Sequence, residues 1–315
     1  MKSESSAPGK VILFGEHFVV YGVKAILCAI NKRVVVRAKT IPEKVISIKS
    51  DIGDLSSSPK TTLAEINSPL KPLFYLAQKL IEKYDYNAGI SVNVMSEIPP
   101  GVGLGSSSAC CVAGAAAISG LFEKLDRDEI LSLAIDAEKT IHQDSSGADC
   151  TVCMYGGVME YSKEGGFARI SSTPGFKLVI ANSNLEHSTK EIVSNVKRFK
   201  ERNEAKFLDM CNAENELVKN ALSLIEKNDL AGLGISITKN QEMLEAIGIS
   251  NDDLEGMVRI ANKTSFGSKI TGAGGGGCIF ALNDDPGVQN TLCGLNEKNI
   301  ECFSTEVDFK GLDTF

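Results

Sequence analysis

Pro99-Pro100-Gly101-Val102-Gly103-Leu104-Gly105-Ser106-Ser107-Ser108 is the stretch that says most about how this chain folds. Its three alternate glycines permit backbone angles that other residues rarely adopt. The run that follows, Ala109 to Phe122, consists largely of small residues and is helical in pattern. The three serines therefore lie at a helix start, where free N–H groups and partial positive charge collect. A helix cap explains one serine, whereas three serines behind three glycines favour a phosphate-binding loop.

This loop differs from the common P-loop, because no Lys-Ser or Lys-Thr pair follows its glycines. The cation that neutralises a bound phosphate must then come from elsewhere in the chain. Lys10 is a candidate, since it follows Pro8-Gly9 and begins a predicted strand that runs to Phe14. A lysine at a strand start is more often a solvated edge, so Lys10 by itself decides nothing.

A second glycine loop, Gly272 to Gly277, matches the dinucleotide-binding pattern G-x-G-x-x-G. That interpretation requires a helix after the loop, and we reject it because the strand-like run Cys278 to Leu282 follows instead. A tight hairpin is the simplest alternative. Five glycines in six positions exceed what a hairpin needs, so we expect close approach of this backbone to a ligand or another segment.

Strands and helices mix without a regular alternation, which favours an α+β fold. The length of 315 residues exceeds one ordinary core, and a Ser/Thr/Pro/Gly cluster near Ser171 to Gly175 indicates a linker. We therefore predict two domains, residues 1–173 and 174–315. Residues 50–61 are predicted as a polar loop, the predicted helices are 73–83, 109–122, 127–142, 286–297 and several within 189–263, and the predicted strands are 11–14, 33–40, 44–49, 89–95, 156–161, 176–181, 269–271, 278–282 and 300–309.

Composition limits the partners and the location. The formal net charge of -7 repels phosphate backbones and anionic lipids, so we expect neither nucleic acid nor a membrane as partner. Met1 to Ser6 is polar, and no apolar run reaches the roughly 18 residues that cross a bilayer, which predicts a soluble cytoplasmic protein. Nine cysteines in apolar surroundings are typical of reduced, buried thiols. Cys150 and Cys153 lack the second pair of a structural zinc site, and a redox pair is the less favoured alternative.

Two carboxylates have more than one interpretation. Glu138 falls on the apolar face of the predicted helix 127–142, where a carboxylate is costly unless it is compensated. Its carboxylate either forms a buried salt bridge, lies at a helix edge where it reaches water, or binds a metal ion. Asp149 lies in a turn-rich segment that folds back toward the helix end, and it is either a turn residue or a catalytic group. His17 is equally well interpreted as a hydrogen-bonded histidine of the core or as a residue of the functional site.

Three segments together resemble the three motifs of the GHMP kinases, a family that includes galactokinase, homoserine kinase, mevalonate kinase and phosphomevalonate kinase. They are Pro8 to His17, Pro100 to Ser108 and Lys269 to Cys278, and they span nearly the whole chain in the family's order. Within this family the sequence is most similar to the mevalonate kinases in their compact archaeal form. Phe18 to Gly22, Glu138 to Asp149 and Asn240 to Ser250 carry that closer resemblance.

The resemblance implies a two-domain fold, with an N-terminal domain like domain 2 of ribosomal protein S5 and a ferredoxin-like C-terminal α/β domain. It implies transfer of the γ-phosphate of ATP to the 5-hydroxyl of mevalonate, with Mg²⁺ as cofactor and a homodimer as the usual assembly. Two alternatives remain open. One is a sibling kinase that acts on phosphomevalonate or another small alcohol, and the other is a catalytically silent sensor of ATP and metabolite.

The resemblance also implies roles for individual residues. Asp149 would orient and deprotonate the substrate hydroxyl, and Lys10 beside it would stabilise charge at the attacking oxygen. Ser107 and Glu138 would bind Mg²⁺. The phosphates would be held by Pro100, Gly101, Gly103, Leu104, Gly105, Ser106, Ser107 and Ser108.

The substrate side of the site is implied in the same way. Glu16 and His17 would line the mevalonate pocket, and Thr189 would lie near the γ-phosphate. The third motif would close the site from the second domain through Gly272, Ala273 and Gly274.

Two residues depart from the family's pattern. His142-Gln143-Asp144-Ser145-Ser146-Gly147 stands where His-Gly-x-Pro-Ser-Gly is usual, and the extra carboxylate of Asp144 is expected to alter metal or substrate contacts. His187 stands where Arg or Lys is common. This predicts that substrate affinity falls as the pH rises through the histidine pKa, which a flat KM between about pH 6 and about pH 8 would contradict.

Overall fold

Two β-sheets organise the chain, and helices pack against both. The structure is a computed structural model that describes residues 1–143, 145–170, 175–185 and 188–315. Helices and strands occur in both halves without regular alternation, so the predicted α+β class is confirmed. Within these described ranges, no helix combines the length and the apolar composition needed to cross a bilayer.

The first sheet is built mainly from the N-terminal half of the chain and is mostly antiparallel. Its strands are β1 (Lys2–Phe14), β2 (Ala25–Ile41), β3 (Ile46–Ser50), β4 (Gly53–Ser57), β5 (Gly89–Ser96), β6 (Val158–Ser162), β7 (Gly166–Arg169) and β12 (Asp313–Thr314). They lie in the order β12-β1-β2-β5-β3-β4, with β6 paired to β2 and β7 paired to β6. The long β1–β2 hairpin at its centre carries Lys10 and leads into the turn at Glu16.

A helical layer covers this sheet, formed by α1 (Lys71–Lys83), α2 (Ser106–Ser119), α3 (Arg127–Glu138) and α4 (Ala148–Tyr155). Helix α2 is its centre, because its small residues are almost all buried against β1, β2 and the other three helices. A side chain at Gly114 would overlap Leu73 of α1, so the two helices approach closely. This packing fixes the N-terminus of α2, where the first glycine loop ends.

The second sheet has the order β11-β8-β10-β9 and is antiparallel throughout. Its strands are β8 (Lys177–Asn182), β9 (Gly267–Ile270), β10 (Cys278–Asn283) and β11 (Glu301–Glu306). The chain order of strand, helices, hairpin, helix and strand, with this pairing, is the ferredoxin-like arrangement that the resemblance implied. The helices are α5 (Thr189–Arg202), α6 (Glu204–Glu226), α7 (Leu230–Ala246), α8 (Asp252–Ala261) and α9 (Asp285–Asn296).

The larger of two buried apolar clusters spans both halves, which are also joined by specific polar contacts. Leu178 and Phe280 of the second sheet belong to the same buried cluster as Phe14 of β1. The Thr271 hydroxyl accepts a hydrogen bond from Ile12 N–H over 2.9 Å and donates to Ile12 O over 3.2 Å. The second glycine loop therefore starts from a point that is fixed against β1.

Several local predictions were wrong, each for a tertiary reason. Residues 50–61 contain strand β4, which pairs with β3 despite its polar sequence. Lys10 lies inside β1 rather than at its start, because the polar segment before it pairs with β2 and β12. Helix α3 ends at Glu138, and Asp149 lies on the short helix α4 rather than in a loop. The predicted boundary at 173/174 lies outside the described residues and stays a prediction.

The cysteines are free thiols, and Cys150 and Cys153 are fully buried on α4. Burial raises the pKa of both thiols well above the ordinary value, which suppresses the thiolate that redox chemistry requires. This supports reduced thiols over a redox pair at Cys150 and Cys153, but the prediction of burial fails for Cys293, which is exposed, and holds only in part for Cys110 and Cys302.

Candidate active site

The two residues implied to act on the reacting hydroxyl form an ion pair. Lys10 Nζ lies 3.2 Å from Asp149 Oδ2. The Lys10 side chain is 5% exposed and that of Asp149 is 37% exposed, so the ammonium is buried while the carboxylate stays open to a ligand. Asp149 lies in the first turn of α4, where the helix dipole favours a negative charge. Sheet and helix thus fix the pair from two sides.

The first glycine loop turns sharply before α2 begins. Gly101, Gly103 and Gly105 have φ of 73°, 82° and 76°, in the left-handed region that favours glycine. The Lys10 N–H donates to Leu104 O over 2.9 Å, which ties the loop to β1. In the described part of the chain no side chain caps α2, so its first N–H groups are available to an anion.

Glu138, the last residue of α3, is a buried carboxylate that contacts hydroxyl groups. It is 4% exposed, and Ser108 Oγ and Ser145 Oγ donate hydrogen bonds to its two oxygens. No ion pair to Glu138 occurs among the described residues, which disfavours the salt-bridge interpretation. The hydroxyl that contacts it belongs to Ser108, whereas the implied metal ligand Ser107 is half-buried and lines the adjoining cavity. Carboxylate and hydroxyl oxygens are the hard donors that suit Mg²⁺.

The turn after β1 presents Glu16 and His17. Gly15 has φ of 96°, and a side chain there would overlap Ala25 of β2. His17 has φ of 59°, which is unusual for a residue other than glycine and is maintained here by its contacts. Its Nε2 donates to Ala273 O over 2.8 Å, and burial lowers the pKa of the imidazole. His17 is therefore both hydrogen-bonded to the protein and part of the cavity wall, so the two interpretations are compatible.

Beneath this turn, buried charged residues from both halves of the chain meet. Lys269 Nζ donates to Glu16 Oε1, and their side chains are 0% and 1% exposed. Gly15 N–H donates to Glu214 Oε1 over 2.8 Å, and Asn240 Nδ2 donates to Glu214 Oε2 over 2.6 Å. Burial, followed by the negative charge of Glu16, raises the pKa of Glu214 to about 7. The sequence assigned no role to Lys269 or Glu214.

The second glycine loop, which belongs to the third motif, has one part at the cavity and another part packed against a neighbouring segment of the chain. Gly272 and Ala273 line the cavity, and a side chain at Gly272 would come within 3.8 Å of Gly103 in the first loop. Gly274 lies against Ile249 instead, because a Cβ there would be 2.4 Å from Ile249 O. The prediction of close backbone approach therefore applies both at the cavity and at a neighbouring segment.

One cavity of about 460 Å³ brings these groups together from both halves of the chain. Thr189, in the first turn of α5, is exposed and lines it. Of the residues implied for the site, Pro100 and Gly274 are not part of its lining. Part of its apolar wall was not indicated by the sequence and includes Val19, Val20, Val193 and Val196. The implied residues that line it are Lys10, Glu16, His17, Gly101, Gly103, Leu104, Gly105, Ser106, Ser107, Ser108, Glu138, Asp149, Thr189, Gly272 and Ala273.

A second cavity of about 640 Å³ continues from the first around the glycine loop. The two share Pro99, Gly101, Ser106 and Ser107, and Pro100 lines the second one. Its wall is largely apolar, and sequence reasoning missed it because the residues come from separate segments without a common motif. They include Ile52, Leu70, Leu73, Ile98, Cys110 and Ile141. Asp144 and His187, the two departures from the family's pattern, lie outside the described residues, and their effects stay predictions.

Comparison with known sequences gives two family matches along the chain. Residues 72–157 match the GHMP kinases N terminal domain, and residues 221–299 match the GHMP kinases C terminal domain. The mevalonate kinase of Aeropyrum pernix is 30% identical over 316 residues, covering 98% of this chain and 97% of the relative. The mevalonate kinase of Pyrococcus furiosus is 36% identical over 302 residues, covering 90% and 89%.

Solved structures agree with this relationship. The Methanococcus jannaschii mevalonate kinase superposes with a TM-score of 0.87 at 28% identity, covering 98% of each chain. The L. major mevalonate kinase, solved in complex with R-mevalonate, superposes with a TM-score of 0.82 at 24% identity, covering 97% of this chain and 96% of that one. Because the sequence relationship extends over nearly the full length of both partners, the chain belongs to the GHMP kinase family, among its mevalonate kinases.

Proposed function

We propose that this protein transfers the γ-phosphate of ATP to the 5-hydroxyl of mevalonate, giving 5-phosphomevalonate and ADP. The observation that carries the proposal is the Lys10–Asp149 pair, which lies in one cavity with the glycine loop and the start of α2. Membership among the mevalonate kinases supports this choice of substrate.

Asp149 and Lys10 are proposed to act on the attacking oxygen. The Asp149 carboxylate accepts the proton of the substrate hydroxyl while the new O–P bond forms and the bond from the γ-phosphorus to the bridging oxygen of ADP breaks. The Lys10 ammonium, 3.2 Å away, stabilises the negative charge that develops on the attacking oxygen. Because Lys10 is buried, its charge is poorly screened by water and acts strongly at this point.

The acidic protein offers local positive potential to its anionic ligands. The starts of α2, α4 and α5 contribute Ser106, Asp149 and Thr189 to the cavity lining, so three helix N-termini meet the site. Each N-terminus carries partial positive charge. Together with Lys10 they supply positive potential at the position where a triphosphate binds, although the formal net charge of the whole chain is -7.

Glu138 and Ser107 are the proposed holders of Mg²⁺. A carboxylate that is 4% exposed, with hydroxyl groups as its contacts, fits a hard divalent cation. When bound, the ion would neutralise charge on the β- and γ-phosphates. Ser108 would continue to orient the Glu138 carboxylate from the side.

The second cavity is proposed to take the adenine of ATP. It adjoins the glycine loop through Ser106 and Ser107, and its wall of Leu73, Ile98 and Cys110 is suited to a flat apolar ring. If adenine occupies the second cavity, the first cavity remains free for the phosphates and the substrate. The homodimer implied by the resemblance remains a prediction that light scattering of the purified protein would test.

Gly105→Ala tests how tightly the phosphate loop approaches Lys10. A Cβ at Gly105 would lie 2.7 Å from Lys10 Cγ, so the loop or the lysine must shift. We expect kcat to fall at least about 10-fold, because small misplacements of catalytic groups are costly. Gly101→Ala is the matched control, since Gly101 has a similar φ of 73° but no atom within 4 Å of the added methyl. Equal losses of kcat in the two variants would contradict the prediction.

A substrate panel tests the proposed function. ADP production is measured with ATP and Mg²⁺ against mevalonate, phosphomevalonate, homoserine and galactose. We expect turnover with mevalonate and much weaker turnover with the other three. Preference for phosphomevalonate would support the sibling kinase, and binding of ATP and mevalonate without ADP production would support the silent sensor.

A further inference from the structure

Lys269 is a fully buried lysine that does not line the cavity, yet it contacts a residue that does. It lies on β9, shortly before the second glycine loop, and its side chain is 0% exposed. Its ammonium donates to Glu16 Oε1 and lies 5.5 Å from the centre of the Phe280 ring. A buried ammonium in such surroundings is costly, and its contact with Glu16 is what compensates it.

Glu16 has one oxygen engaged and the other unengaged. Lys269 holds Oε1, whereas Oε2 is buried and has no hydrogen-bond partner among the described residues. Glu16 lines the cavity beside His17 and Lys10. A buried carboxylate oxygen without a partner is unfavourable, so its presence at a cavity wall points to a donor supplied by the ligand.

The surrounding groups restrict how Glu16 can reorient. Glu214 accepts from Gly15 N–H over 2.8 Å and thereby holds the backbone of the turn that carries Glu16. Asn240 donates to the other oxygen of Glu214, which links this turn to α6 and α7. The turn is therefore fixed through its backbone by Glu214 and through its side chain by Lys269.

We propose that Lys269 is a positioning residue, which holds Glu16 Oε1 so that Oε2 is presented to the cavity as acceptor for the tertiary 3-hydroxyl of mevalonate. The inference rests on the proposed function, because it names a contact within the same site. Asp149 meets the reacting 5-hydroxyl, and Glu16 would meet the second hydroxyl of the same molecule. Lys269 itself touches neither hydroxyl.

Lys269→Met tests the proposal, because methionine retains most of the side-chain length and removes the charge. Glu16 would then lack its cation and present a weaker, less well-oriented acceptor. We expect KM for mevalonate to rise about 10- to 100-fold, the range for a lost hydrogen bond to a charged group, with little change in kcat or in KM for ATP. Lys269→Arg, which keeps the charge, should restore part of the loss.

An analogue without the tertiary hydroxyl, 5-hydroxy-3-methylpentanoate, separates positioning from general damage. If Lys269 acts through Glu16 on that hydroxyl, wild type and Lys269→Met should have nearly equal KM values for the analogue. A merely structural role for Lys269 would instead weaken both substrates by the same factor.

The pH profile is a second readout. The charged and titratable groups that face Glu16 are Lys10, His17, Glu214 and Lys269. Burial raises the pKa of Glu16 and Lys269 lowers it, so removal of Lys269 raises this pKa further. In Lys269→Met, Glu16 should therefore ionise at a higher pH than in wild type, so the fall in KM for mevalonate with rising pH should be displaced to higher pH.

Arg33→Met is the control for loss of a paired, half-buried cation away from the cavity, since the Arg33 side chain is 19% exposed. Arg33 pairs with Asp308 between the two halves of the chain but does not line the cavity. The Arg33→Met substitution should lower the melting temperature of the protein without raising KM for mevalonate. If Lys269→Met does not fold, Glu16→Gln is compared with the double variant Glu16→Gln/Lys269→Met, and equal KM values support the proposal.

An unchanged KM for mevalonate in folded Lys269→Met, or a further large rise in the double variant over Glu16→Gln, would overturn the positioning role. Absence of mevalonate phosphorylation in the wild type would instead overturn the proposed function. The two failures are therefore distinguishable in one set of assays.

Discussion

Asp149→Asn is expected to lower kcat for mevalonate by about 10²- to 10⁴-fold, the usual contribution of a positioned acid–base group. Asparagine keeps the size of the side chain but cannot accept the proton of the attacking hydroxyl. Because Asp149 is 37% exposed, its replacement should change stability little. KM for ATP should also stay close to the wild-type value, since the glycine loop and the start of α2 are unaffected.

Single-turnover phosphoryl transfer, followed by quenching and product separation, measures this effect without interference from product release. Asp136→Asn is the matched control. Asp136 pairs with Lys79 over 3.0 Å at similar exposure, 42%, but lies outside both cavities. Near-normal turnover in Asp149→Asn would exclude Asp149 as the base.

Lys10→Met is expected to lower kcat by about 10²- to 10³-fold, the effect of losing one preorganised group that stabilises developing charge. The ammonium is 5% exposed and lies 3.2 Å from Asp149. The substitution removes the positive charge that lies beside the attacking oxygen. Water cannot readily enter this buried position to replace the ammonium. Methionine fills most of the space, so the packing of β1 against Gly105 should remain.

The double variant Lys10→Met/Asp149→Asn tests whether the two residues act together. If Lys10 and Asp149 act as one unit, the double variant should be hardly slower than the slower single variant. Lys79→Met, in the exposed pair with Asp136, should leave kcat unchanged. Fully additive losses would show that Lys10 acts independently of Asp149, on the phosphate alone.

Motifs with fixed spacing made the family and much of the site predictable from sequence. The glycines at 101, 103 and 105 require left-handed backbone angles that few other residues adopt, and all three have them. The sequence also predicted that Glu138 lies on an apolar helix face but left open whether its carboxylate reached water, and the structure shows it 4% exposed. These inferences depend on local chemistry, in which neighbouring residues along the chain are neighbours in space.

Residues whose importance comes from distant contacts could not be predicted in this way. Lys269 opens the third motif but had no role assigned to it, and Glu214 appears in the sequence as an ordinary helix glutamate. Only the fold buries them against Glu16 and Gly15, more than 190 positions away in the chain. Strand β4 was missed for a similar reason, since its pairing with β3 outweighs its polar composition.

The sequence by itself determined the two glycine loops and the family, and it predicted the groups proposed to bind phosphate, because backbone freedom and side-chain chemistry belong to the residues themselves. The tertiary structure alone decided that Lys10 meets Asp149, that Ser108 rather than Ser107 contacts Glu138, and that Lys269 donates to Oε1 rather than Oε2 of Glu16. These outcomes depend on which surfaces the packing of two sheets removes from water, and burial is a property of the whole chain.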